Sequence, residues 1–355
     1  MINNKVAAGG FIFLGIIITM LRLLCLSLVL VLTIYPFAYM RKNLITHNEF
    51  FGIFLGNYIY FSICLLLVML ALLAVHLLVK KMTVKQIMAT SAAALVIAGV
   101  VGYYNYRVAD VIQQQIVIAK PAEVSSLRLA FISDLHLNSN SNRQLFVDAV
   151  SKINQAKVDL VFVGGDLLQD SYRQVSDDYQ AVFSQLEASL GKYLVMGNHE
   201  YYSEDVEGNI DYIESLGFTV IRDALLTVNG VQFVVRDDTY NQQRLSLAEL
   251  YQTLSIDPAK PIVVLDHNPA SIQESRQLGA DLQLSGHTHA GQFFPFNVML
   301  DMAYDNARGY KQFDQLHTIV SEGLGVGYWR KVGPWQMPYR LGTNSQINII
   351  DLRFM

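Results

Sequence analysis

The apolar residues of this chain are concentrated in its first third. Hydrophobic residues make up 52% of the 355 positions, and most of the excess lies before Tyr104. Three long apolar runs occur there, at 7–40, 50–79 and 87–104. About 20 apolar residues suffice to cross a bilayer, so we expect three transmembrane helices, or four if Arg22 divides the first run. A cleaved secretion signal would account only for the first run.

Basic residues between the runs indicate an orientation. Lys80, Lys81 and Lys85 lie between the second and third runs, while Arg41 and Lys42 follow the first and argue the opposite way. Cytoplasmic loops are enriched in Lys and Arg, and the triple-lysine loop is the stronger signal. We therefore expect a multi-pass protein of the cell membrane whose C-terminal domain is extracytoplasmic.

The rest of the chain alternates between strand-like and helix-like segments. The composition changes after the transmembrane region at 1–106: a linker at 107–125 carries charges and Pro121, which interrupts helices. A domain follows at 126–355. Its predicted helices cover 145–153, 206–213 and 245–254, and its predicted strands 127–132, 159–163, 193–196, 225–228, 231–235, 261–265, 281–284, 317–320 and 346–352. This order predicts an α/β domain, a two-sheet β-sandwich flanked by helices.

Five short polar motifs follow strands of this domain. They are Asp134-Leu135-His136, Gly164-Gly165-Asp166, Gly197-Asn198-His199-Glu200, the single His267, and Gly286-His287-Thr288-His289. Strand ends are where α/β folds place ligand groups. The pairs Asp134/His136 and His287/His289 are expected on extended backbone, where side chains two residues apart point the same way. Asp, Asn and His without Cys suit manganese, iron or zinc in an open catalytic site.

Each motif alone has a simpler explanation. Asp166 could cap the next helix, and His267 could be a structural histidine. Glu200 could orient His199 or face solvent. The combination is more specific than its parts, because five motifs in order supply enough ligands for two metal ions that share one carboxylate.

The motif series resembles the calcineurin-like metallophosphoesterase superfamily from Leu127 to Leu352. The resemblance implies two divalent metal ions, manganese, iron or zinc, that activate water for direct hydrolysis of a phosphate ester. It implies that one ion is held by Asp134, His136, Asp166 and His289. The other would be held by Asp166, Asn198, His267 and His287. By the same resemblance, His199 is the catalytic histidine that steadies the leaving oxygen and the phosphoryl group.

Two further stretches are similar to a membrane-anchored bacterial subgroup. The stretch Gly286–Gln292 and the later Ser321–Gly325 resemble the YkuE proteins and some UDP-diacylglucosamine pyrophosphatases, although Ala290 stands where the subgroup usually has glycine. A cluster of aromatic and basic residues near Trp329 and Trp335 suits a membrane interface, or a lipid or nucleotide phosphate. A partly buried aromatic loop with surface charges would give the same composition. Arg330 and Arg340 in that cluster are candidate substrate-binding residues.

These observations predict a membrane-anchored enzyme that hydrolyses a phosphodiester or a pyrophosphate, in a lipid-linked substrate. The alternatives are a phosphomonoesterase or phosphoprotein phosphatase, and a non-catalytic membrane sensor with a metal-binding domain. The expected partners are the lipid bilayer and the phosphate ester. No basic, aromatic-interleaved stretch suggests a nucleic acid.

Overall fold

The computed structural model describes residues 15, 18, 21–22, 49–78, 82–139, 141–175, 178–327 and 337–355. The first predicted span, 7–40, lies outside the described residues except for four positions. The basic residues Arg41, Lys42, Lys80 and Lys81 also lie outside them. The chain divides into two compact units, Met1–Tyr103 with Tyr328–Tyr339, and Tyr104–Gly327 with Arg340–Met355.

The first unit contains two long helices, α1 (Glu49–Leu78) and α2 (Val84–Arg107). Two stretches within them, Gly56–Leu78 and Lys85–Arg107, are long and apolar enough to cross a membrane. The second and third predicted runs are therefore confirmed as long apolar helices. The last turn of α2 belongs to the second unit, in which Ser345 donates backbone and side-chain hydrogen bonds to the carbonyls of Asn105 and Tyr106.

The second unit is built on two six-stranded mixed sheets in the described part of the chain. Sheet 1 has the strand order β1-β12-β2-β3-β4-β5, and sheet 2 has the order β10-β11-β9-β8-β7-β6. The strands are β1 (Asp110–Ile118), β2 (Ser126–Ile132), β3 (Leu160–Val163), β4 (Lys192–Val195), β5 (Thr219–Ile221), β6 (Ala224–Val228), β7 (Val231–Val235), β8 (Ile262–Leu265), β9 (Leu282–Ser285), β10 (Gly309–Phe313), β11 (Leu316–Val320) and β12 (Gln346–Phe354).

Six helices of this unit are described beside the sheets. They are α3 (Arg143–Ala156), α4 (Gln180–Phe183), α5 (Val206–Ser215), α6 (Leu247–Thr253), α7 (Ile272–Gln277) and α8 (Phe296–Ala303). The predicted helical stripe is confirmed in α3, whose residues Leu145, Phe146, Ala149, Val150 and Ile153 are buried. Ser246 and Glu249 form a capping box that fixes the start of α6.

The inner faces of the two sheets form a single apolar core. Phe131 and Phe162 of sheet 1 and Phe233 of sheet 2 are fully buried in it, and the rings of Phe162 and Phe233 lie 5.0 Å apart. Separate apolar clusters include residues of α3 and α5 with sheet 1, and residues of α6 and α7 with sheet 2. Fully burying one such side chain stabilises the fold by about 1.5–3 kcal/mol. The two packed sheets with helices beside them confirm the α/β sandwich predicted from the alternating pattern.

The predicted linker at 107–125 has more structure than expected. Residues Asp110–Ile118 form β1, which pairs in parallel with β12 along its whole length. Ile116 and Ile118 enter the core between the sheets. The folded unit therefore begins at Tyr104 rather than at Ser126. The available signal was the two short β-branched runs, Val111-Ile112 and Ile116–Ile118, on either side of three glutamines.

The sheets bring the motif loops to a common edge. In sheet 1 the strands β2, β3 and β4 are parallel neighbours, and in sheet 2 the strands β8 and β9 are parallel neighbours. The five motifs follow the carboxyl ends of these five strands. Ligand groups separated by up to about 150 positions in sequence thus meet at the strand ends, as α/β folds favour.

Candidate metal centre

The motif loops are fastened to one another by backbone hydrogen bonds. Asp134 N donates to Gly165 O at 3.0 Å, and His136 N donates to Asp166 O at 3.0 Å. Across the two sheets, His287 N donates to Asp134 Oδ1 at 3.0 Å. The first ligand loop is therefore fixed to the loops of both sheets before any ion binds.

The first group of ligand atoms is formed by Asp134, His136 and His289, which lie within 4.8 Å of one another. The two imidazole nitrogens, His136 Nε2 and His289 Nε2, are 2.9 Å apart. Asp134 Oδ1 lies 3.5 Å from His289 Nε2, and Asp166 Oδ2 lies 3.9 Å from His136 Nε2. The structure thus brings together the four side chains expected to hold the first ion.

The second group contains Asp166, His267 and His287, again within 4.8 Å. His267 Nε2 lies 3.2 Å from Asp166 Oδ2, the same oxygen that faces His136. Asn198 belongs to the adjoining loop: the next backbone amide, that of His199, donates to Asp166 Oδ1 at 2.9 Å. Asp166 therefore lies between the two groups, where one carboxylate can serve both.

Unpartnered buried atoms indicate that these groups fit metal ions. Within the described residues, Asn198 Oδ1 is buried without a hydrogen-bond partner, and His267 Nε2 faces the Asp166 carboxylate at 3.2 Å. Buried polar atoms are rarely left unsatisfied, and an amide oxygen with an imidazole nitrogen is a common ligand pair for first-row divalent metals. The donor set, which is free of sulfur, fits manganese, iron or zinc.

His199 lies between the two groups with one ring nitrogen already engaged. Its Nδ1 is 2.5 Å from the backbone carbonyl oxygen of Gln169 and 3.0 Å from the side-chain nitrogen of the same residue. Because the closer group, a carbonyl oxygen, can only accept a hydrogen bond, we assign the proton to Nδ1. Its Nε2 is 3.9 Å from Asp166 Oδ2, and its ligand atom also groups with His136 and Asp166. A histidine held in this tautomer turns Nε2 toward the site.

The backbone at the ligands is left-handed, contrary to the extended geometry expected for the paired motifs. Five ligands have positive φ angles, namely Asp134 (55°), His136 (52°), Asp166 (53°), His287 (71°) and His289 (48°). Such angles are uncommon outside glycine. His287 and His289 consequently point into different groups rather than to one side, which matches the assignment implied by the resemblance.

The same geometry accounts for a glycine preference next to His289. Ala290 has a φ of 49°, and it stands where the resembling subgroup usually has glycine. Glycine adopts left-handed angles without the steric penalty of a Cβ atom. The alanine therefore fits this turn at some conformational cost.

Gly197 permits the closest approach in the site. A Cβ atom at this position would collide with Asp166 Oδ1 and would lie 2.5 Å from the backbone nitrogen of Asp166. Any side chain at residue 197 would thus displace the shared carboxylate. The second glycine of Gly164-Gly165 has a similar role, since its Cβ would lie 2.5 Å from His267 Nδ1.

Glu200 faces the protein interior and not solvent. Its side chain is fully buried and accepts hydrogen bonds from three backbone amides, those of Asp166 (3.0 Å), Leu168 (2.9 Å) and Gly197 (2.9 Å). The sequence left open whether Glu200 orients His199 or faces solvent. In the structure Glu200 does neither. Glu200 instead fixes two ligand loops relative to each other.

Burial and neighbouring charge perturb the pKa values of the ligands. Burial raises the pKa of Asp134 to about 6, and it lowers the pKa of His287 to about 4. Burial also holds the pKa of His136 and His289 well below the usual value, with a contribution from facing imidazoles. For His267 burial acts in the same direction, but the charge of Asp166 outweighs it and raises the pKa. Three of the four histidines are therefore neutral and ready to bind metal.

Arg340 occupies a different environment from the one predicted for a substrate-binding residue. Its side chain is fully buried, and it donates hydrogen bonds to the carbonyl oxygens of Glu322, Gly323 and Gly325 at 2.6–3.1 Å. These donors are committed to the loop that follows β11, so Arg340 positions that loop rather than contacting substrate. Arg330, the other candidate, lies outside the described residues.

Sequence reasoning missed two side chains next to the ligands. Tyr202 Oη accepts a hydrogen bond from Asn198 Nδ2 at 2.8 Å, and its ring lies 4.6 Å from that of His199. Asp238 is fully buried in the loop after β7, with Oδ2 unpartnered among the described residues. Tyr202 lies in the turn that follows the Asn-His motif, which was the available signal. No sequence signal pointed to Asp238, because β7 was expected only as one strand of a hairpin.

Comparison with known proteins supports the same class. Residues 127–291 match the family described as calcineurin-like phosphoesterase. An uncharacterized metallophosphoesterase of Helicobacter pylori is 30% identical over 64% of this chain and 60% of its own length. A Danio rerio relative named "Transmembrane protein with metallophosphoesterase domain" is 28% identical over 73% of this chain and 62% of its own length. The uncharacterized metallophosphoesterase YkuE of Bacillus subtilis is 27% identical over 77% of this chain and 99% of its own length.

Residues 127–291, which carry the candidate metal centre, match the calcineurin-like phosphoesterase family, and the resemblance noted in the sequence is confirmed at that level. The chain spans 60% of the length of the Helicobacter pylori relative. Members of this family usually hold two divalent metal ions, which agrees with the two ligand groups.

Proposed function

We propose that this protein is a membrane-associated phosphoesterase with two metal ions, which hydrolyses a phosphodiester or pyrophosphate bond in a lipid-linked substrate. One observation carries the proposal. The single carboxylate oxygen Asp166 Oδ2 lies 3.2 Å from His267 Nε2 in one ligand group and 3.9 Å from His136 Nε2 in the other. A carboxylate shared between two sets of ligands is the arrangement that a dinuclear hydrolytic site requires.

The ligand sets proposed are Asp134, His136, Asp166 and His289 for one ion, and Asp166, Asn198, His267 and His287 for the other. When bound, two divalent ions supply Lewis acidity, which activates water and offsets the charge of the phosphoryl group. The chain itself contributes prearranged ligands, because Glu200 and the loop-to-loop hydrogen bonds fix them in advance. Such preorganisation is a main source of catalytic power in enzymes.

His199 is proposed to act on the leaving group. The Gln169 carbonyl holds the proton of His199 on Nδ1, which leaves Nε2 directed toward the site, 3.9 Å from Asp166 Oδ2. Its side chain is 12% exposed, whereas that of Asp166 is 3% exposed. A histidine in this position can hydrogen-bond to the phosphoryl group and stabilise the departing oxygen.

A lipid-linked substrate is supported by the location of the domain in the chain. The domain follows two helices that are long and apolar enough to cross a membrane. A relative with a similar domain is named as a transmembrane protein. The stretch Gly286–Gln292 resembles a subgroup that includes some UDP-diacylglucosamine pyrophosphatases, whose substrate is a pyrophosphate attached to acyl chains, and this resemblance is part of the proposal.

The reaction is tested with the full chain in detergent, stripped of metal and refilled with manganese, iron or zinc. We expect metal-dependent cleavage of bis(p-nitrophenyl) phosphate that is faster than cleavage of p-nitrophenyl phosphate. Asp166→Asn should abolish turnover. The matched control is Asp314→Asn, an exposed aspartate in the turn between β10 and β11, and it should keep full activity.

Each contrary result points to a stated alternative. Preference for the monoester would replace the diesterase with a phosphomonoesterase. A folded protein that binds two metals and turns over neither these esters nor a lipid pyrophosphate would favour a non-catalytic sensor.

The extracytoplasmic placement of the domain is a separate proposal that rests on Lys80, Lys81 and Lys85. Positive residues next to membrane spans favour the cytoplasm. Lys80 and Lys81 lie between the two candidate spans in the sequence, and Lys85 is the first residue of the second span. A reporter fused after Met355 tests it, because that terminus is exposed. Activity of a reporter that works only in the cytoplasm would contradict the placement.

A further inference from the structure

One helix of the catalytic unit turns apolar side chains outward. Val298, Met299 and Met302 of α8 are 47%, 60% and 85% exposed, and Phe294 just before it is 45% exposed. Residues three and four apart share a helix face, so the three helical residues form one patch. Asn297, on the other side, is buried. Helices of soluble domains normally turn their large apolar side chains to the core. In α8 only Phe296 and Leu300 are half-buried, and the three residues of the patch face outward beside the exposed Asp301.

The patch adjoins the metal centre. A Cβ atom on Gly291 would lie 2.5 Å from the backbone nitrogen of Asn297 and the carbonyl carbon of Phe296. The first turn of α8 therefore packs directly against the turn that carries His289. With its side chain 15% exposed, His289 is among the more accessible ligands of the site. Whatever covers α8 is consequently held close to the opening of the first ligand group.

We propose that α8 docks into the interfacial region of a lipid bilayer, with Phe294, Val298, Met299 and Met302 in contact with acyl chains. An exposed apolar patch of this kind usually marks an interaction surface, and amphipathic helices bury such faces at the boundary between headgroups and acyl chains. The inference rests on the proposed membrane association, but it does not depend on the reaction catalysed.

The chain itself argues for a bilayer as the occupant. The second candidate span ends at Arg107, and the first strand of the catalytic unit begins at Asp110. Two intervening residues reach at most about 7 Å, so the folded unit starts at the end of a helix able to cross a membrane. The sequence near Trp329 and Trp335 adds aromatic and basic residues of the kind found at membrane interfaces.

Docking of α8 would define how substrate arrives. A helix lying in the interface keeps the adjoining ligand group at the level of lipid headgroups. The substrate class is then a phosphate ester or pyrophosphate carried by a membrane lipid, which reaches the site by moving within the bilayer. A water-soluble ester would reach the same ligands without any contribution from α8.

A fluorescence measurement tests the docking directly. In the full chain with Cys25 and Cys64 replaced by alanine, Met302→Cys is labelled with bimane and reconstituted into vesicles of phosphatidylethanolamine and phosphatidylglycerol. The matched control is Ala259→Cys, an exposed position in the loop before β8, at the end of the strands opposite the metal centre. Nitroxide-labelled lipid should quench the label at residue 302 strongly and the label at residue 259 weakly.

Two results would overturn the proposal. Quenching at residue 302 no stronger than at residue 259 would place α8 in water. Blue-shifted emission at residue 302 without lipid quenching would mean that a protein surface, such as a second copy, covers the helix.

A kinetic comparison separates this inference from the proposed reaction. The double variant Met299→Ser/Met302→Ser should cleave bis(p-nitrophenyl) phosphate normally and lose about tenfold in kcat/KM on a lipid ester in vesicles, as expected for losing apolar contacts at the interface. The control Val111→Ser/Val117→Ser alters two exposed residues of β1 and should lose nothing. An unchanged rate on the lipid ester would contradict docking. If no variant cleaves either ester, the proposed reaction fails, while the quenching result still decides the docking.

Discussion

Asn198 Nδ2 donates a hydrogen bond to the hydroxyl oxygen of Tyr202 at 2.8 Å. The bond fixes which end of the amide faces the metal centre, because it leaves Asn198 Oδ1 as the group available to an ion. Oδ1 is buried and has no hydrogen-bond partner among the described residues. Tyr202 thus orients a metal ligand without binding the metal itself.

Tyr202→Phe should weaken binding of one of the two ions by about tenfold, since residues that orient a ligand typically contribute that much to metal affinity. Competition with a chelating dye would measure the two affinities separately. Tyr212→Phe is the matched control, a half-buried tyrosine stacked on Tyr172. Equal affinities in the Tyr202 and Tyr212 variants would remove the orienting role.

Glu200→Gln should lower the stability of the fold and also prevent metal ions from binding at the two ligand groups. An amide retains only one oxygen to accept from the three backbone N–H groups that Glu200 now satisfies. Leaving a buried donor unsatisfied costs about 1–3 kcal/mol. Thermal unfolding of the metal-free protein measures the loss, and Glu214→Gln on the exposed side of α5 provides the comparison. Unchanged thermal stability in Glu200→Gln would show that the ligand loops are held by other contacts.

Arg340→Lys should loosen the loop that follows β11 although the charge is kept. Lysine cannot span the three carbonyl oxygens that the guanidinium reaches, because its single ammonium lacks the planar fork of arginine. We expect a loss of about 1–3 kcal/mol in unfolding free energy, together with a lower turnover number. Arg353→Lys, at an exposed position of β12, should behave as the unaltered protein. A Lys variant with normal stability would restore the possibility of a direct role with substrate.

The stabilising effect of metal should grow with pH. Burial raises the pKa of Asp134 to about 6 in the metal-free protein. Because this folded value lies above the ordinary one, its contribution to stability is present below the ordinary pKa and is lost as pH rises through about 6. Metal binds the ionised carboxylate, so protons compete with it at low pH. The rise in Tm on adding manganese should therefore be larger at about pH 8 than at about pH 5.

Asp134→Asn removes the contribution of Asp134 to that proton competition and should reduce the pH dependence, while His267, whose pKa is raised by the charge of Asp166, retains a proton that competes with metal. The comparison is made by differential scanning of each protein with and without metal. A rise in Tm that is the same at both pH values in the unaltered protein would contradict the assignment of Asp134 as a ligand that titrates in this range.

A chain that begins at Ser126 should be less stable than one that begins at Tyr104. Removing β1 takes Ile116 and Ile118 out of the core between the sheets and exposes the edge of β12. Two fully buried isoleucines contribute about 3–6 kcal/mol. Soluble yield and the midpoint of urea unfolding measure the difference. Equal midpoints would show that β1 is dispensable.

Much of the architecture follows from local patterns. The hairpin of β6 and β7 is an example, because Asn229 and Gly230 adopt the positive φ angles, 50° and 78°, that its two-residue turn requires. Two of the strands before the motifs, β3 and β8, are short apolar runs that are buried throughout, and such runs can be recognised in a sequence. β1 was missed because Pro121 and the nearby charges suggested a linker, although the strand itself ends at Ile118.

The ligand residues could be found from sequence, but their geometry could not. Spacing alone predicts that His287 and His289 share a side, and the left-handed φ angles at both send them to different groups. Those angles are imposed by contacts from distant loops, such as the hydrogen bonds between His287 N and the carboxylate of Asp134. The buried role of Arg340 was hidden for the same reason, since its partners are carbonyl oxygens that carry no side-chain signature.

The position of β12 sets a condition on how this protein can be made. The strand β12 lies between β1 and β2 in sheet 1, so these two strands have no hydrogen-bonded neighbour in common until residues 346–354 have been synthesised. The apolar helices α1 and α2 are synthesised long before that moment. A chain interrupted before β12 would therefore have its apolar helices but an open sheet, with Leu127 and Leu129 accessible to chaperones and proteases.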